Sequence, residues 1–316
     1  MNTVSKKPDF LSTTTGVLTA AVAANLLWGS AAPCIKLGYQ LFRVGSSDVM
    51  SQILFAGVRF FLAGILTILM GSLLRGRVLR PQHGSAGMLI ALALMQTVIQ
   101  YTFFYIGLSN APGFKGSITS PTSTFFAILI AALIFRQEKL TGKKILGCLI
   151  GFAGVVVVNL GSGSAAGFRM TGEGFLILAA CSYGCSSVLI KRFSAREDPV
   201  VLSGYQFAMG GAAMTLVAWL AGGHLEAVKP AAWLLMFYLG FLSAVAYTLW
   251  SLLLQRHPVS RITVFAFLNP VFGVVLSAIL LGEGKILNVP RCLLAMVLVC
   301  LGVWIVNIPE RKTSGS

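Results

Sequence analysis

Acidic residues are nearly missing from this chain: nine aspartates and glutamates stand against 24 lysines and arginines in 316 residues. Histidine is scarcer still, and His83, His224 and His257 all fall between apolar runs. Catalysis inside a membrane needs clustered acids, a His–Glu set or a Ser–Lys dyad at depth, so an integral-membrane enzyme is the remotest reading. Six cysteines sit in or at the ends of the apolar runs. Cys181 and Cys185 lie one helical turn apart, but no histidine or second cysteine pair stands near to complete a tetrahedral site. Packing residues are expected there, with no metal or other cofactor. Polar tracts are missing too. Only 10% of residues are charged while 56% are hydrophobic, which excludes a soluble core and leaves no room for a soluble domain.

What remains is a series of ten apolar runs, near 15–36, 50–73, 86–108, 114–135, 144–160, 172–191, 200–221, 231–254, 261–281 and 289–308. Each is long enough to cross roughly 30 Å of hydrocarbon as a helix. The first is read as a retained span, because no small-residue cleavage site follows it. The net charge of +15 invites a nucleic-acid reading, and its distribution refutes it. With the N-terminus inside, sixteen lysines and arginines fall on the inner side. Seven (Lys36, Arg43, Lys115, Arg169, Lys229, Lys285 and Arg291) fall outside, and Arg59 lies within a span. That bias predicts a cytoplasmic-membrane protein with both termini cytoplasmic and no nucleic-acid partner.

The second half repeats the first. Trp28-Gly29 through Lys36 lines up with Tyr183-Gly184 through Lys191, and Arg59-Phe60 with Gln206-Phe207. Gly64 matches Gly211, Tyr101-Thr102 matches Tyr247-Thr248, Pro112 matches Pro258, and Glu138 matches Glu283. A repeat with five spans must enter the bilayer upside down in its second copy. The expected architecture is all-α, ten transmembrane helices as two inverted five-helix repeats over residues 1–160 and 161–316, with a solute site between them.

These motifs carry a resemblance. Trp28-Gly29, Arg59-Phe60, the Pro112 and Pro258 helix starts, Phe135-Arg136-Gln137-Glu138, Asn269-Pro270 and Leu280-Leu281-Gly282-Glu283 recur in order and twice over. In this the chain resembles a ten-span member of the drug/metabolite transporter superfamily built from two EamA-type domains, from about residue 15 to 308. The resemblance implies a secondary transporter and an exporting direction. One departure stands out: Pro121 lies 17 residues before Glu138, whereas Pro270 lies 13 before Glu283, so the two helices do not break at equivalent heights.

Solute chemistry must come from polar groups stranded among apolar ones. Pro121 and Pro270 free carbonyls in spans four and nine, beside Ser117, Thr122 and Asn269; these line a cavity, or their hydroxyls bond back to their own backbone. Gln96 and Gln100 share a sector of span three with Thr97, Tyr101 and Tyr105, while Ser243, Tyr247 and Trp250 share a face of span eight. Asn25, Trp28 and Tyr183 complete the candidate set on spans one and six. Rings with polar tips suit a pocket for a partly apolar solute, although belts at the membrane interface use the same residues. Arg59 must find backbone carbonyls, a carboxylated substrate or a structural role. Glu138 and Glu283 close spans four and nine and are expected to pair with lysine or cap the next helix, as gating or structural residues.

The expected activity is alternating-access export of small amphipathic metabolites such as amino acids. A nucleotide-sugar or sugar-phosphate antiporter, or a multidrug exporter, is the alternative; a diphosphate would need several intramembrane cations. With no carboxylate in the middle of a span, facilitated transport or exchange is expected rather than proton antiport. The partners are then a small molecule and the lipid bilayer. A small-residue face of Gly147, Gly151 and Gly154 is suited to close helix packing, so the protein is a monomer or a homodimer.

Overall fold

The computed structural model describes residues 10–136, 139–159, 168–256, 262, 264–306 and 308, and every regular element among them is helical. Nine helices are long and apolar enough to cross a membrane. They are α1 (Thr14–Leu41), α2 (Val49–Arg75), α3 (Ala86–Asn110), α4 (Gly113–Leu133) and α5 (Gly142–Asn159), then α6 (Met170–Phe193), α7 (Pro199–Leu220), α8 (Ala231–Arg256) and α10 (Val289–Val306). The shorter α9 (Leu268–Leu280) follows a 3-10 turn at Val264–Phe267 and completes the set of ten. Local chemistry fixes the ends. Thr13, Asp48 and Asp198 accept hydrogen bonds from first-turn amides, Pro199 opens α7, and Gly76 closes α2 at a φ of 61°.

The two halves cross-pack as an inverted pair. Helix α1 lies against α8 and α9 of the other repeat, and its counterpart α6 lies against α3 and α4. The glycines after Trp28 and Tyr183 allow close approaches. A Cβ on Gly29 would stand 2.9 Å from the carbonyl oxygen of Asn269, and one on Gly184 would stand 2.9 Å from that of Ser123. Helices α2 and α7 form the central crossing, where a side chain on Gly64 or Gly211 would strike the backbone of the opposing helix. Lipid-length helices gain little from apolar burial against one another, so this close backbone contact carries the association.

Two expectations need correcting. The glycine face of α5 is used within the chain: Cβ atoms on Gly147 and Gly154 would stand 2.9 Å from Gly302 O and 2.7 Å from Ala295 O of α10. No partner subunit is needed to cover it. Pro270 does not kink a helix in mid-course; it sits in the first turn of α9, where a missing N–H costs nothing, and the break is the 3-10 turn before it. Pro121 does break α4, inside a 3-10 turn at Ser120–Thr122. Two breaks carry no proline: π-helical segments at Ala93–Ile99 in α3 and Met170–Gly174 at the start of α6. Such segments reorient side chains at functional positions.

Outside the spans, the α6–α7 loop is pinned to the α2–α3 loop. Glu197 accepts from the Gln82 amide and the Ser85 hydroxyl, both at 2.7 Å, and Asp198 pairs with Arg75. Burial raises the Glu197 carboxyl, but the bonds from Ser85, Gln82 and the Asp198 amide outweigh it and leave its pKa below the ordinary glutamate value. A depressed folded pKa gives stability that is present above the ordinary glutamate range and lost as pH falls through the folded value. Glu197→Gln should therefore melt about 3 °C below the unaltered protein at neutral pH in detergent, and the gap should close below the glutamate range. A gap of constant size down to strong acid would contradict the assignment.

Candidate functional site

Between the halves, six helices converge on one aromatic box. Trp28 meets Tyr247 edge-on at 5.4 Å between ring centroids and Trp250 at 5.3 Å. Phe207 lies 5.1 Å from Tyr247, and Phe60 lies 5.3 Å from Phe207. Tyr101 stacks on Phe60 at 3.7 Å. The hydroxyls of Tyr101 and Tyr183 both come close enough to that of Tyr247 to interact with it. Edge-to-face pairs of this kind contribute about 0.5–1.5 kcal/mol each beyond their area, so the walls are held in place before a solute arrives.

Polar groups from the π-helical stretch of α3 enter this box. Gln96 Nε2 donates to the Tyr247 hydroxyl at 3.2 Å, while Gln96 Oε1 has no partner. Gln100, one turn on, is buried with its Oε1 also unpartnered. Thr97 bonds the Gln206 side chain of α7 at 2.7 Å. Buried amide oxygens without donors are rare and costly, and they mark places where a ligand or water completes the bonding.

Arg59 forms the floor. Its Nε donates to Leu239 O at 3.1 Å, Nη1 to the Tyr105 hydroxyl at 2.6 Å and Nη2 to Ser243 Oγ at 3.0 Å. The guanidinium also lies 4.8 Å from the centre of the Phe60 ring. Every one of these partners is neutral, and among the described residues no carboxylate forms an ion pair with it. Arg59 thus ties α2 to α3 and α8 while leaving its charge uncompensated beside the box.

Of the residues singled out in the sequence, Trp28, Arg59, Gln96, Tyr101, Tyr183, Tyr247 and Trp250 come together, and Gln100 is buried next to Tyr101 in the chain. Asn25, Ser117 and Thr122 do not contribute free groups. Asn25 Nδ2 bonds Ala21 O at 2.8 Å, Ser117 Oγ bonds Gly113 O at 3.3 Å and Thr122 Oγ1 bonds Thr119 O at 2.6 Å. Each bonds a carbonyl three or four residues back in its own segment, a usual behaviour of short polar side chains in helices. Asn269 abuts Gly29 through its carbonyl oxygen, away from the rings. Gln206 is the residue that sequence reasoning passed over, although the repeat aligns it with Arg59.

One end of this site is held shut by charge. Glu283 accepts from the Gly113 amide at 2.8 Å and the Phe114 amide at 3.1 Å, capping α4 from the other repeat. Lys36 lies 3.5 Å from the same carboxylate and donates to Ala111 O at 2.8 Å. Beside it, Lys115 and Glu173 form an ion pair of 2.6 Å, and Glu173 also accepts from the Arg169 amide at 2.8 Å. Arg59 is therefore not the sole buried cation, and acids at helix ends are not surface acids: Lys115 is 1% exposed and Glu173 2%. The matching Glu138, together with Pro258, lies outside the described residues.

The first half of α4, Gly113–Thr119, packs on α9 and α1, and its second half, Ser123–Leu133, packs on α6 and α5. At the opposite end the two groups form separate clusters. Val17, Ala20 and Ala21 pack with Leu253 and Ile262, and Ile130 and Ala131 pack with Val188. Each of these clusters joins one repeat to the other, so the repeats also pack together at this end.

Comparison with known proteins fits this geometry. The EamA-like transporter family matches residues 14–160 and again residues 170–308. The chain is 25% identical over 282 residues to a probable amino-acid metabolite efflux pump of Escherichia coli, covering 85% of this chain and 87% of that one. It is 27% identical over 284 residues to an uncharacterized transporter of Synechocystis, covering 83% and 82%. The uncharacterized inner membrane transporter YedA of Escherichia coli is 27% identical over 293 residues, covering 90% and 91%. A solved crystal structure shares the fold with a TM-score of 0.60 at 20% identity, covering 93% of this chain and 96% of the other.

Proposed function

The chain belongs to the EamA-like transporter family, multi-pass membrane proteins that move small molecules, and we propose that it exports small zwitterionic metabolites, amino acids foremost. The observation that carries the reading is the aromatic box floored by Arg59, a buried cation with only neutral partners. A carboxylate on the solute would supply the missing charge, and the rings would cover its apolar part. The efflux annotation of the Escherichia coli relative supports the same class. A nucleotide-sugar reading is weaker, because Lys115, the other buried cation, is committed to Glu173. An enzyme is not proposed: among the described acids Glu173 pairs with Lys115, Asp48, Asp198 and Glu283 cap helices, Glu226 faces Arg43 and Glu197 accepts from Gln82 and Ser85.

The two repeats, residues 1–160 and 161–316, would rock about the box in the cytoplasmic membrane, with both termini inside. Transport would run down the solute gradient, by facilitated passage or exchange. Flux of labelled amino acids and of nucleotide sugars into proteoliposomes tests the substrate class. Saturable amino-acid flux is the expected result, and rapid nucleotide-sugar exchange with no amino-acid flux would overturn the reading.

A further inference from the structure

The internal repeat reveals a second polar contact that the transporter reading does not use. Tyr101 corresponds to Tyr247 at an offset of 146 residues, and the same offset carries Thr97 onto Ser243. Arg59, aligned with Gln206, bonds Ser243; Gln206 bonds Thr97. The protein thus makes one inter-repeat contact twice, with a cation in the first copy and an amide in the second. The two copies are neighbours, since Phe60 next to Arg59 and Phe207 next to Gln206 face each other at 5.3 Å.

The amide copy is incomplete. Gln206 is fully buried, and Thr97 Oγ1 engages its Oε1 at 2.7 Å and reaches its backbone oxygen at 3.3 Å. Its Nε2 has no acceptor. Gln96, beside Thr97 in the chain, and Gln100 a turn further each leave an Oε1 without a donor. Gln96, which bonds Tyr247, Gln206, next to Phe207 in the chain, and Gln100, next to Tyr101, therefore offer one free donor and two free acceptors. A buried amide atom without a partner costs about 1–3 kcal/mol, so three in one neighbourhood call for a ligand that bonds all of them.

We propose that Gln206 is a specificity-determining residue whose Nε2 binds the carboxylate end of the solute, while Gln96 and Gln100 accept from its ammonium group. Arg59 holds the helices through its three bonds and supplies the field that favours the carboxylate there; Gln206 supplies the free donor. This rests on the amino-acid reading above and narrows it: the site requires both charged ends of the zwitterion. A solute without the carboxylate leaves Gln206 unpaired, and one without the ammonium leaves the two acceptors unpaired. Sites built to bond a polar group reject analogues that lack it.

The test uses labelled leucine flux in proteoliposomes, competed by leucine, leucinamide and 4-methylpentanoate. The unaltered protein should prefer leucine over either analogue. Gln206→Met, close in volume, should weaken leucine about tenfold and leucinamide less, because the neutral carboxamide oxygen accepts a weaker bond from Nε2 than a carboxylate does, so the acid-to-amide preference narrows. Gln96→Met with Gln100→Met should instead erase the preference over 4-methylpentanoate. Thr97→Val, which frees the Gln206 amide to turn, should move the acid-to-amide preference in the same direction as Gln206→Met. Leucine transport with an unchanged acid-to-amide preference in both the Gln206 and Thr97 variants would overturn this assignment and leave the amino-acid reading standing. A protein that ignores amino acids altogether would overturn both.

Discussion

Arg59→Met is expected to lower solute flux about a hundredfold and to reduce thermal stability in detergent by about 3 kcal/mol. The guanidinium makes three hydrogen bonds to three separate places, Leu239 O on α8, the Tyr105 hydroxyl on α3 and Ser243 Oγ on α8. Charge-assisted bonds contribute about 1.5–3 kcal/mol each, less the cost of burying the cation. Methionine fills similar space and makes none of them. Arg59→Lys keeps the charge but can reach one acceptor at most, because an ammonium lacks the planar fork. The lysine variant should thus recover part of the solute affinity and little of the stability. Equal behaviour of the methionine and lysine variants in affinity would show that the charge does nothing for the solute. Wild-type melting and flux in Arg59→Met would remove Arg59 from the site entirely.

The fold was legible because a bilayer demands long apolar runs and a repeat doubles every signal. Eight of the ten spans lie within two residues of where the runs place them, α1 runs on five residues to Leu41 and α9 starts only at Leu268, while the Trp28-Gly29 and Tyr183-Gly184 pairs sit at equivalent helix crossings. The aromatic box was legible too, since rings with polar tips share one face of α3 and one of α8. What escaped depends on where a side chain finds its partner. Ser117 and Thr122 read as cavity lining, yet each bonds a carbonyl three or four residues back, an option that no spacing rule excludes. Lys115 and Glu173 read as interfacial charges because both stand near helix ends. They are buried because α4 and α6 pack side by side there, 58 residues apart in sequence. The π-helical stretch in α3 has no proline or glycine to announce it. Gln206 had a signal, its alignment with Arg59, but an amide among apolar neighbours looks like filler until its free nitrogen is seen.

Glu283 has the other large effect, on the equilibrium between states. Its carboxylate joins the start of α4 to the end of α9 and, through Lys36, to α1, so that end can open only if these bonds part. Two amide bonds at a helix N-terminus and a half-buried lysine together contribute about 3 kcal/mol, which corresponds to roughly a hundredfold in the population of the open state. Cys34 is the natural reporter: it is buried on α1, two residues before Lys36. With Cys148, Cys181, Cys185, Cys292 and Cys300 replaced, Glu283→Ala should raise the labelling rate of Cys34 by a membrane-impermeant maleimide about tenfold or more, from the Lys36 side only. Net flux should fall, because a gate that no longer closes cannot alternate. Glu283→Gln should lie between, since its amide oxygen still accepts from one backbone N–H but no longer holds Lys36. Unchanged Cys34 labelling in Glu283→Ala would mean that packing of α4 on α9 closes this end without the charge. The same variants decide the coupling. A latch that only bonds Lys36 and the α4 amides carries no proton across, so an imposed pH gradient should leave flux of a neutral zwitterion unaltered. Concentrative uptake driven by that gradient, lost in Glu283→Gln while passive flux survives, would make this carboxylate a proton carrier rather than a latch.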